Sequence, residues 1–173
     1  MNYFSYRSVN VASAAACGLL GLFALVYLQG HLGLEPCYLC VTQRFFVIGC
    51  GLLFALAAIH NPALIGRRWY AGGSCVTAMG GSYFAMKQLW LQGLSADQIP
   101  TCGPPVDYLF EAFSTFEVIA MLVRGDGNCA ETQWQFLGLS IPAWVLVNCS
   151  LLLAVGLLQL LRKDCNSRPP RKP

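Results

Sequence analysis

Four long apolar runs alternate with polar segments along the chain, at 11–29, 45–59, 71–90 and 143–161. An α-helix needs about 20 residues to cross the hydrocarbon core of a bilayer, and the first, third and fourth runs reach that length. The second run reaches it when its polar flanks, Gln43 and Asn61, are included. Because the runs are continuous rather than alternating, they predict helices, which pair their own backbone groups inside the membrane.

We therefore predict an all-α membrane protein, a four-transmembrane-helix bundle that forms a single integral membrane domain over 1–173. The predicted spans are about 11–29, 43–61, 71–91 and 143–161, with connections at 30–42, 62–70 and 92–142 and a tail at 162–173. Only 11% of the residues are charged, whereas soluble domains have about 25%. A cleaved signal peptide is the alternative for the first run, but the run is long and further spans follow it.

The positive charges predict which loops face the cytoplasm, where lysine and arginine accumulate next to membrane spans. The N-terminus, the 62–70 loop and the tail carry Arg7, Arg67, Arg68, Arg162, Lys163, Arg168, Arg171 and Lys172. We expect both termini in the cytoplasm and the 30–42 and 92–142 loops outside. The formal net charge of +3 is then a topology signal, and no basic patch interleaved with aromatic residues predicts nucleic-acid binding.

The nine cysteines separate by compartment on this topology. Five lie in apolar helices or in the reducing cytoplasmic tail, where a thiol is most simply a small packing residue: Cys17, Cys50, Cys75, Cys149 and Cys165. Four lie on the predicted outer side, where disulfides form and persist: Cys37, Cys40, Cys102 and Cys129.

Three interpretations fit the four outer cysteines. Cys37 and Cys40 have zinc-ligand spacing, but the second pair does not repeat it, and an oxidising compartment favours disulfides. A disulfide between Cys37 and Cys40 would stabilise the fold little through chain entropy, so such a small ring is useful mainly because it opens and closes. Cys102 and Cys129 can form a structural staple, although the glycines and prolines beside them favour mobility.

Cys40 and Arg44 are expected on one face at the start of the second helix. Pro36 and the apolar run from Val41 predict that this helix begins around Cys40. The positive end of the helix dipole and a cation four residues further on both favour a Cys40 thiolate. An electron-rich thiolate beside an arginine suggests an acceptor that arrives from the lipid, and a membrane quinone has the required apolar tail and hydrogen-bonding carbonyls.

The 92–142 loop contains further helical signals. Residues 107–124 have separate polar and apolar stripes, which predict a short helix in the membrane interface or packed on the mouth of the bundle. A capping-box pattern at Asn128 and Glu131 predicts another short helix that opens at Cys129. Lys87 is a charge near the outer end of the third helix, where it either snorkels to the headgroups or lies beside a quinone or the thiolates. Three tryptophans are typical of interfacial anchors: Trp90, Trp134 and Trp144.

These features together resemble the DsbB family. The similarity comprises the four helices, the C-x-x-C that opens the second helix with an arginine four residues after its second cysteine, and the long outer loop with its own cysteine pair. It also includes the segment NCAETQWQFLGLSIPAW at 128–144. DsbB proteins are bacterial inner-membrane proteins that reoxidise the periplasmic oxidase DsbA.

The resemblance implies a thiol:quinone oxidoreductase whose redox cysteines face the periplasm and which sustains disulfide formation in secreted proteins. A reduced DsbA-like thiol oxidase would attack Cys102 of a Cys102–Cys129 disulfide, and Cys129 would then attack Cys37 of a Cys37–Cys40 disulfide. Cys40 would pass the electrons to ubiquinone or menaquinone near Arg44.

Two alternatives remain. A protein similar to vitamin K epoxide reductase shares the thiol and quinone chemistry, but its loop cysteines are expected before a C-x-x-C in a late helix, which is the reverse of the order here. A non-enzymatic membrane protein with stapled loops, or one that binds zinc through the four outer cysteines, is the alternative from a different class.

Overall fold

The structure, a computed structural model, describes residues 5–95 and 97–162, with the side chains of all of these except Asp107 and Phe110. Much of the positively charged tail used to predict the orientation lies outside the described residues, as does the tail cysteine: Lys163, Cys165, Arg168, Arg171 and Lys172.

Four long helices form the body of the molecule. Helix α1 covers Tyr6–Leu22 and continues as a π-helical segment over Phe23–His31, and α2 covers Tyr38–His60. Helix α3 covers Leu64–Gln92, and the last helix, α6, covers Ile141–Leu161. Three of these are long and apolar enough to cross a membrane: Tyr6–His31, Tyr38–His60 and Ile141–Leu161. The chain is therefore a helical membrane protein, and large apolar side chains such as Phe45, Leu52 and Leu158 point away from the bundle.

The ends of α2 follow from local backbone preferences. Pro36 precedes the helix, and Cys37 is its N-cap residue with an extended backbone, so the first turn begins at Tyr38 and already contains Cys40. At the other end Asn61 adopts the left-handed conformation with φ 39°, its N–H bonds the carbonyl of Ala57, and Pro62 prevents continuation. The helix starts two residues before the position expected from the apolar run.

The long helices approach one another closely at glycines. Helix α2 packs against both α1 and α3, and α3 packs against α6. Three buried cysteines pack on glycines of a neighbouring helix, in the pairs Cys17–Gly51, Cys75–Gly156 and Cys149–Gly81. A Cβ atom added at any of these glycines would lie 2.7 or 2.8 Å from a cysteine side-chain atom. These thiols fill the space left by the glycines, in keeping with the packing role expected for them.

The segment between α3 and α6 contains two short helices and a hairpin. Helix α4 covers Val106–Ala112 and α5 covers Thr115–Arg124. The prediction of one helix over 107–124 was wrong because Ser114 and Glu117 form a capping box that starts a new helix. The all-α prediction was also incomplete, since β1 (Gln135–Phe136) pairs antiparallel with β2 (Leu139–Ser140).

The helix predicted to open at Cys129 with a cap at Asn128 was also misplaced. The structure has a single 3-10 turn at Gly127–Ala130, and Asp126 is its N-cap residue. The backbone N–H of Cys129 donates to the Asp126 carbonyl oxygen at 3.1 Å. This turn brings Cys129 against the start of α2.

Two buried clusters form the core. One lies at mid-bundle and joins α1, α2, α3 and α6: Cys17, Val47, Cys50, Phe54, Ala78, Cys149 and Leu152. The other lies at the end of the bundle where α2 begins, and it joins α2 and α3 to α4, α5 and the 3-10 turn: Cys37, Tyr38, Leu39, Phe84, Leu91, Leu109, Val118 and Cys129. Two of the four predicted redox cysteines therefore belong to a packed core rather than to an open loop.

Candidate active site

The first turn of α2 carries two adjacent sulfurs. Cys37 Sγ lies 3.2 Å from Cys40 Sγ, because the N-cap residue and the third helical residue point to the same side. Cys37 is buried and Cys40 is half-buried. A disulfide bond measures about 2.05 Å, so a small approach of the two sulfurs is enough for it to form.

Cys129 contributes a third sulfur to the same place. The backbone N–H of Leu39, which has no intrahelical partner in the first turn of α2, donates to Cys129 Sγ at 3.5 Å. Hydrogen bonds to the sulfurs of Cys129 and then Cys40, followed by burial, raise the pKa of Cys37. Cys37 thus contacts both other sulfurs, and its reduced form favours the uncharged thiol.

Asp126 connects the two halves of the outer loop. Asp126 is 4% exposed, and its carboxylate accepts a hydrogen bond from the Gly103 backbone N–H at 3.0 Å. The same carboxylate accepts the Asn128 side-chain amide at 2.7 Å and the Cys129 thiol at 3.2 Å. One buried side chain therefore holds the segment that follows Cys102 against the turn that carries Cys129.

Cys102 itself is exposed. It is packed beside Gly127, where an added Cβ would lie 3.1 Å from Cys102 Sγ, and the Gly127 N–H donates to the Thr101 carbonyl at 3.3 Å. The two loop cysteines thus differ in accessibility, because Cys129 is completely buried. A protein partner can reach Cys102, whereas Cys129 faces the sulfurs of α2.

Two glutamines lie behind the α2 sulfurs. Gln88 Nε2, from α3, is 3.4 Å from Cys37 Sγ and 3.4 Å from Cys40 Sγ. Gln88 Oε1 accepts a hydrogen bond of 2.7 Å from Gln43 Nε2. Both glutamines are buried, so the side of the site that faces α3 is formed by two amides rather than by charged groups.

A cavity of about 300 Å³ opens on the other side of Cys40. It is lined by the π-helical segment of α1, the first turns of α2, the β1 region and the start of α6. Its surface is almost entirely apolar and includes Phe23, Leu28 and Val47. The polar side chains in its wall include Cys40, Gln43 and Arg44.

Arg44 is held in this wall by α1. Its Nη1 donates to Gln29 Oε1 at 2.9 Å and its Nη2 donates to the Ala24 carbonyl at 3.4 Å. Both acceptors belong to the π-helical segment, and such segments are frequent at functional sites. The guanidinium thus lies in the same cavity wall as the Cys40 thiol, one helical turn away.

The tryptophans predicted as anchors divide between two environments. Trp134 and Trp144 line the cavity, where Trp134 stacks on Phe136 with ring centroids 6.0 Å apart. Trp144 Nε1 donates to the Phe136 carbonyl at 3.2 Å. Trp90 is 63% exposed on α3. The hairpin and the two cavity tryptophans therefore form an aromatic wall that the sequence pattern did not predict.

Lys87 is not part of the cavity wall. Its Nζ donates to the Val123 carbonyl at 2.9 Å, in the last turn of α5. This contact joins α3 to α5 and complements the negative end of the α5 dipole. The geometry gives no support to the suggested place of Lys87 beside a quinone.

Three side chains of the site were missed in the sequence analysis: Gln43, Gln88 and Asp126. Gln43 carried a weak signal, since it lies three residues after Cys40 and is a polar residue at the start of an apolar helix. Gln88 reaches its sulfur partners only through the packing of α3 on α2. Asp126 lies three residues before Cys129, in a turn whose cap had been assigned to Asn128.

The arrangement is suited to successive disulfide exchange. An exposed sulfur, a buried sulfur and a sulfur pair lead from the surface to an apolar cavity. Within residues 5–95 and 97–162, no group of three or more His, Cys, Asp or Glu side chains has the arrangement of a metal site.

Comparison with known proteins gives consistent results. A family model described as "Disulfide bond formation protein DsbB" matches residues 6–159. A "Disulfide bond formation protein B" of Saccharophagus degradans is 46% identical over 159 residues, which cover 92% of this chain and 95% of the relative. Proteins of the same name from Hahella chejuensis and Marinobacter nauticus are 53% and 49% identical, over 77% and 83% of this chain and 79% and 86% of their own lengths.

Proposed function

The chain belongs to the DsbB family, a family of disulfide-forming membrane thiol oxidases, and we propose that it carries electrons from a DsbA-like periplasmic dithiol protein to a quinone through its four outer cysteines. The observation that carries the proposal is the double contact of Cys40. Its sulfur lies 3.2 Å from Cys37 Sγ, and the same residue forms part of the cavity wall beside Arg44.

The order of the exchange follows from accessibility. The partner's thiolate attacks Cys102, which is exposed, and the electron pair of the broken Cys102–Cys129 bond leaves on Cys129. Cys129 is buried against Cys37, so it attacks Cys37 and forms a new disulfide. The Cys37–Cys40 bond breaks in this step, and its electron pair leaves on Cys40. Each step exchanges one disulfide for another and needs no external oxidant.

The cavity fits a quinone chemically. Its apolar wall suits an isoprenoid tail, and the Arg44 guanidinium is a donor for a ring carbonyl. A bound quinone would accept the two electrons and two protons that are released when the Cys37–Cys40 disulfide forms again. Arg44 would orient the ring and Cys40 would present the reduced sulfur, and the aromatic wall of Trp134 and Trp144 lines the same cavity. Ubiquinone and menaquinone both meet this description.

We also propose that α3 is the fourth membrane span. A helix of 29 residues is about 43 Å long at 1.5 Å per residue, which exceeds the hydrocarbon thickness of about 30 Å. Val76, Met79 and Met86 on α3 point away from the bundle, as expected for contact with lipid. On α3, Arg67 and Arg68 lie near one end and Lys87 lies near the other. Positive charge accumulates on the cytoplasmic side of membrane spans, so the arginine pair supports cytoplasmic termini in the bacterial inner membrane.

The redox end of the bundle then faces the periplasm, with α4 and α5 at the membrane surface. Phe116 is 82% exposed and Ile119 is 54% exposed on α5, whereas Val118 on its other side is buried. An exposed apolar face next to a packed one suits a helix that lies in the interface. We infer that α5 rests on the lipid surface and keeps the Cys129 turn close to it.

Quinone reduction by the purified protein tests this function. The full-length protein is mixed with a reduced DsbA-like protein and a quinone, and quinol formation is followed by absorbance. We expect Cys40→Ser to reduce the rate to the uncatalysed background, and Cys75→Ser, a buried thiol of α3 outside the cavity wall, to retain it. Equal rates for Cys40→Ser and the parent protein would remove Cys40 from the pathway, and stoichiometric zinc with no quinol would support the non-enzymatic alternative.

A further inference from the structure

Gln88 lies beside the reacting sulfurs, but the thiol exchange outlined above gives it no role. It lies near the end of α3, is 3% exposed, and its Nε2 is 3.4 Å from each of the two α2 sulfurs. A primary amide nitrogen has two hydrogens, so one can point to each sulfur. A buried amide needs hydrogen-bond partners for its N–H groups, and here those partners are the two sulfurs that react.

The orientation of the Gln88 amide is set by a short hydrogen-bond chain. The Phe84 carbonyl can only accept, and the Gln43 amide reaches it with a contact of 3.4 Å, so that contact must come from Gln43 Nε2. The same nitrogen donates to Gln88 at 2.7 Å, which identifies the Gln88 atom there as Oε1. The Gln88 nitrogen then lies 3.4 Å from each sulfur, slightly closer than Oε1, which lies 3.6 Å from Cys40 Sγ. The arrangement leaves Gln43 Oε1 buried without a partner in the described part of the chain.

We propose that Gln88 is a catalytic residue that stabilises the Cys40 thiolate, and that Gln43 is the positioning residue that directs its N–H groups. The proposal rests on the function proposed above. When Cys129 attacks Cys37, the Cys129–Cys37 bond forms, the Cys37–Cys40 bond breaks and the electron pair remains on Cys40 Sγ. A Gln88 N–H then donates to an anionic sulfur, and such a bond is stronger than one to a neutral thiol.

The contribution of Gln88 is distinct from that of Arg44. Arg44 is bonded to Gln29 and Ala24 on the cavity side of Cys40, whereas Gln88 approaches from the α3 side. The amide carries no net charge, so it supports the thiolate without making a buried ion pair. Gln88 also contacts Cys37, so it can keep the two sulfurs close together while the bond between them breaks and forms again.

The rate of Cys40 alkylation tests the proposal without partner or quinone. The parent protein for the assay carries Cys37→Ser, Cys102→Ser and Cys129→Ser, so that Cys40 stays unpaired. Iodoacetamide modification of the Cys40 peptide is followed by mass spectrometry from pH 6 to pH 10. Gln88→Met keeps the side-chain length and removes the amide, and Gln92→Met is the matched control. Gln92 lies one turn further on and bonds Ser140 Oγ rather than a sulfur.

We expect Gln88→Met to slow alkylation at pH 7 about tenfold, the size of one hydrogen bond to a charged group. The difference should close towards pH 10, where the thiol ionises without help, and Gln92→Met should match the parent throughout. Gln88→Asn, which retains a shorter amide, should fall between the two. A parent-like rate at pH 7, or an equal slowing at every pH, overturns the proposal because a structural effect would not depend on ionisation.

A second variant keeps the test decisive if Gln88→Met fails to fold. Gln43→Met leaves Gln88 in place but removes the donor that orients it, and we expect about a threefold slowing at pH 7. An unchanged rate in this variant would contradict the orienting role and, with it, the proposal. The assay is independent of the quinone reaction, so a protein that fails to reduce quinone can still show the Gln88 effect, and the reverse also holds.

Discussion

Arg44 shows how the setting of a single residue changes its interpretation. From sequence, an arginine just before an apolar run is most simply an anchor to the headgroups. In the structure its guanidinium is bonded to the π-helical segment of α1 and lies in the wall of an apolar cavity. Those two contacts hold it in one place, and a guanidinium has five N–H donors. Arg44 therefore retains donors for a ligand that enters the cavity.

Replacing Arg44 by alanine should weaken quinone use more than it weakens the fold. We expect Arg44→Ala to raise the KM for quinone about tenfold or more, since one hydrogen bond from a charged donor is lost. The melting temperature of the detergent-solubilised protein should change by only a few degrees. Steady-state quinone reduction at several quinone concentrations measures the effect. Arg124→Ala, an exposed arginine of α5, is the control, and an unchanged KM in Arg44→Ala would contradict the assignment.

At the scale of the helices, cysteine–glycine pairs set how closely α3 and α6 approach. Cys149 on α6 faces Gly81 on α3, and Gly156 on α6 faces Cys75 on α3. The two pairs are reciprocal, because each helix contributes one thiol and one glycine. Lipid offers no hydrophobic driving force for helix association, so close packing of small residues is what joins such helices. The distance between α3, which carries Gln88, and α6, whose first residues line the cavity, depends on these contacts.

Alanine at Gly81 should destabilise the protein, whereas alanine at Gly72 on the same helix should not. An added Cβ at Gly81 would lie 2.8 Å from Cys149 Sγ, whereas one at Gly72 meets nothing within 4 Å. We expect Gly81→Ala to lower the free energy of unfolding by about 1–3 kcal/mol. Gly72→Ala should be neutral or stabilising by up to about 1 kcal/mol. Unfolding in mixed micelles, followed by circular dichroism, measures both.

Removing the thiol provides the control for this packing argument. In the Gly81→Ala background, Cys149→Ala deletes the sulfur that the new Cβ would meet, so it should recover part of the lost stability. If the double variant is no more stable than Gly81→Ala, the loss does not arise from the contact with Cys149.

For the molecule as a whole, local patterns predicted the helical membrane character, and tertiary contacts decided the rest. The apolar runs and the C-x-x-C motif are local, and three of the predicted spans are helices apolar enough for a membrane. Gln88 lies 48 residues from Cys40 along the chain, so no pattern within one helix could pair them. The break at Ser114 was different, because its capping box is visible in the sequence and was outweighed by the continuous stripe of 107–124.

The orientation of the whole bundle in the membrane can be tested through the difference in exposure between the two loop cysteines. After reduction of intact spheroplasts, a membrane-impermeant maleimide should modify Cys102 rapidly and Cys129 slowly, because Cys102 is exposed and Cys129 is completely buried. Cys102→Ser should remove the rapid phase, and Cys165 should react only after the membrane is permeabilised. Rapid labelling of Cys165 with Cys102 protected would mean that the bundle is inverted. The sulfurs of α2 would then face a reducing compartment, where the Cys37–Cys40 disulfide would not persist.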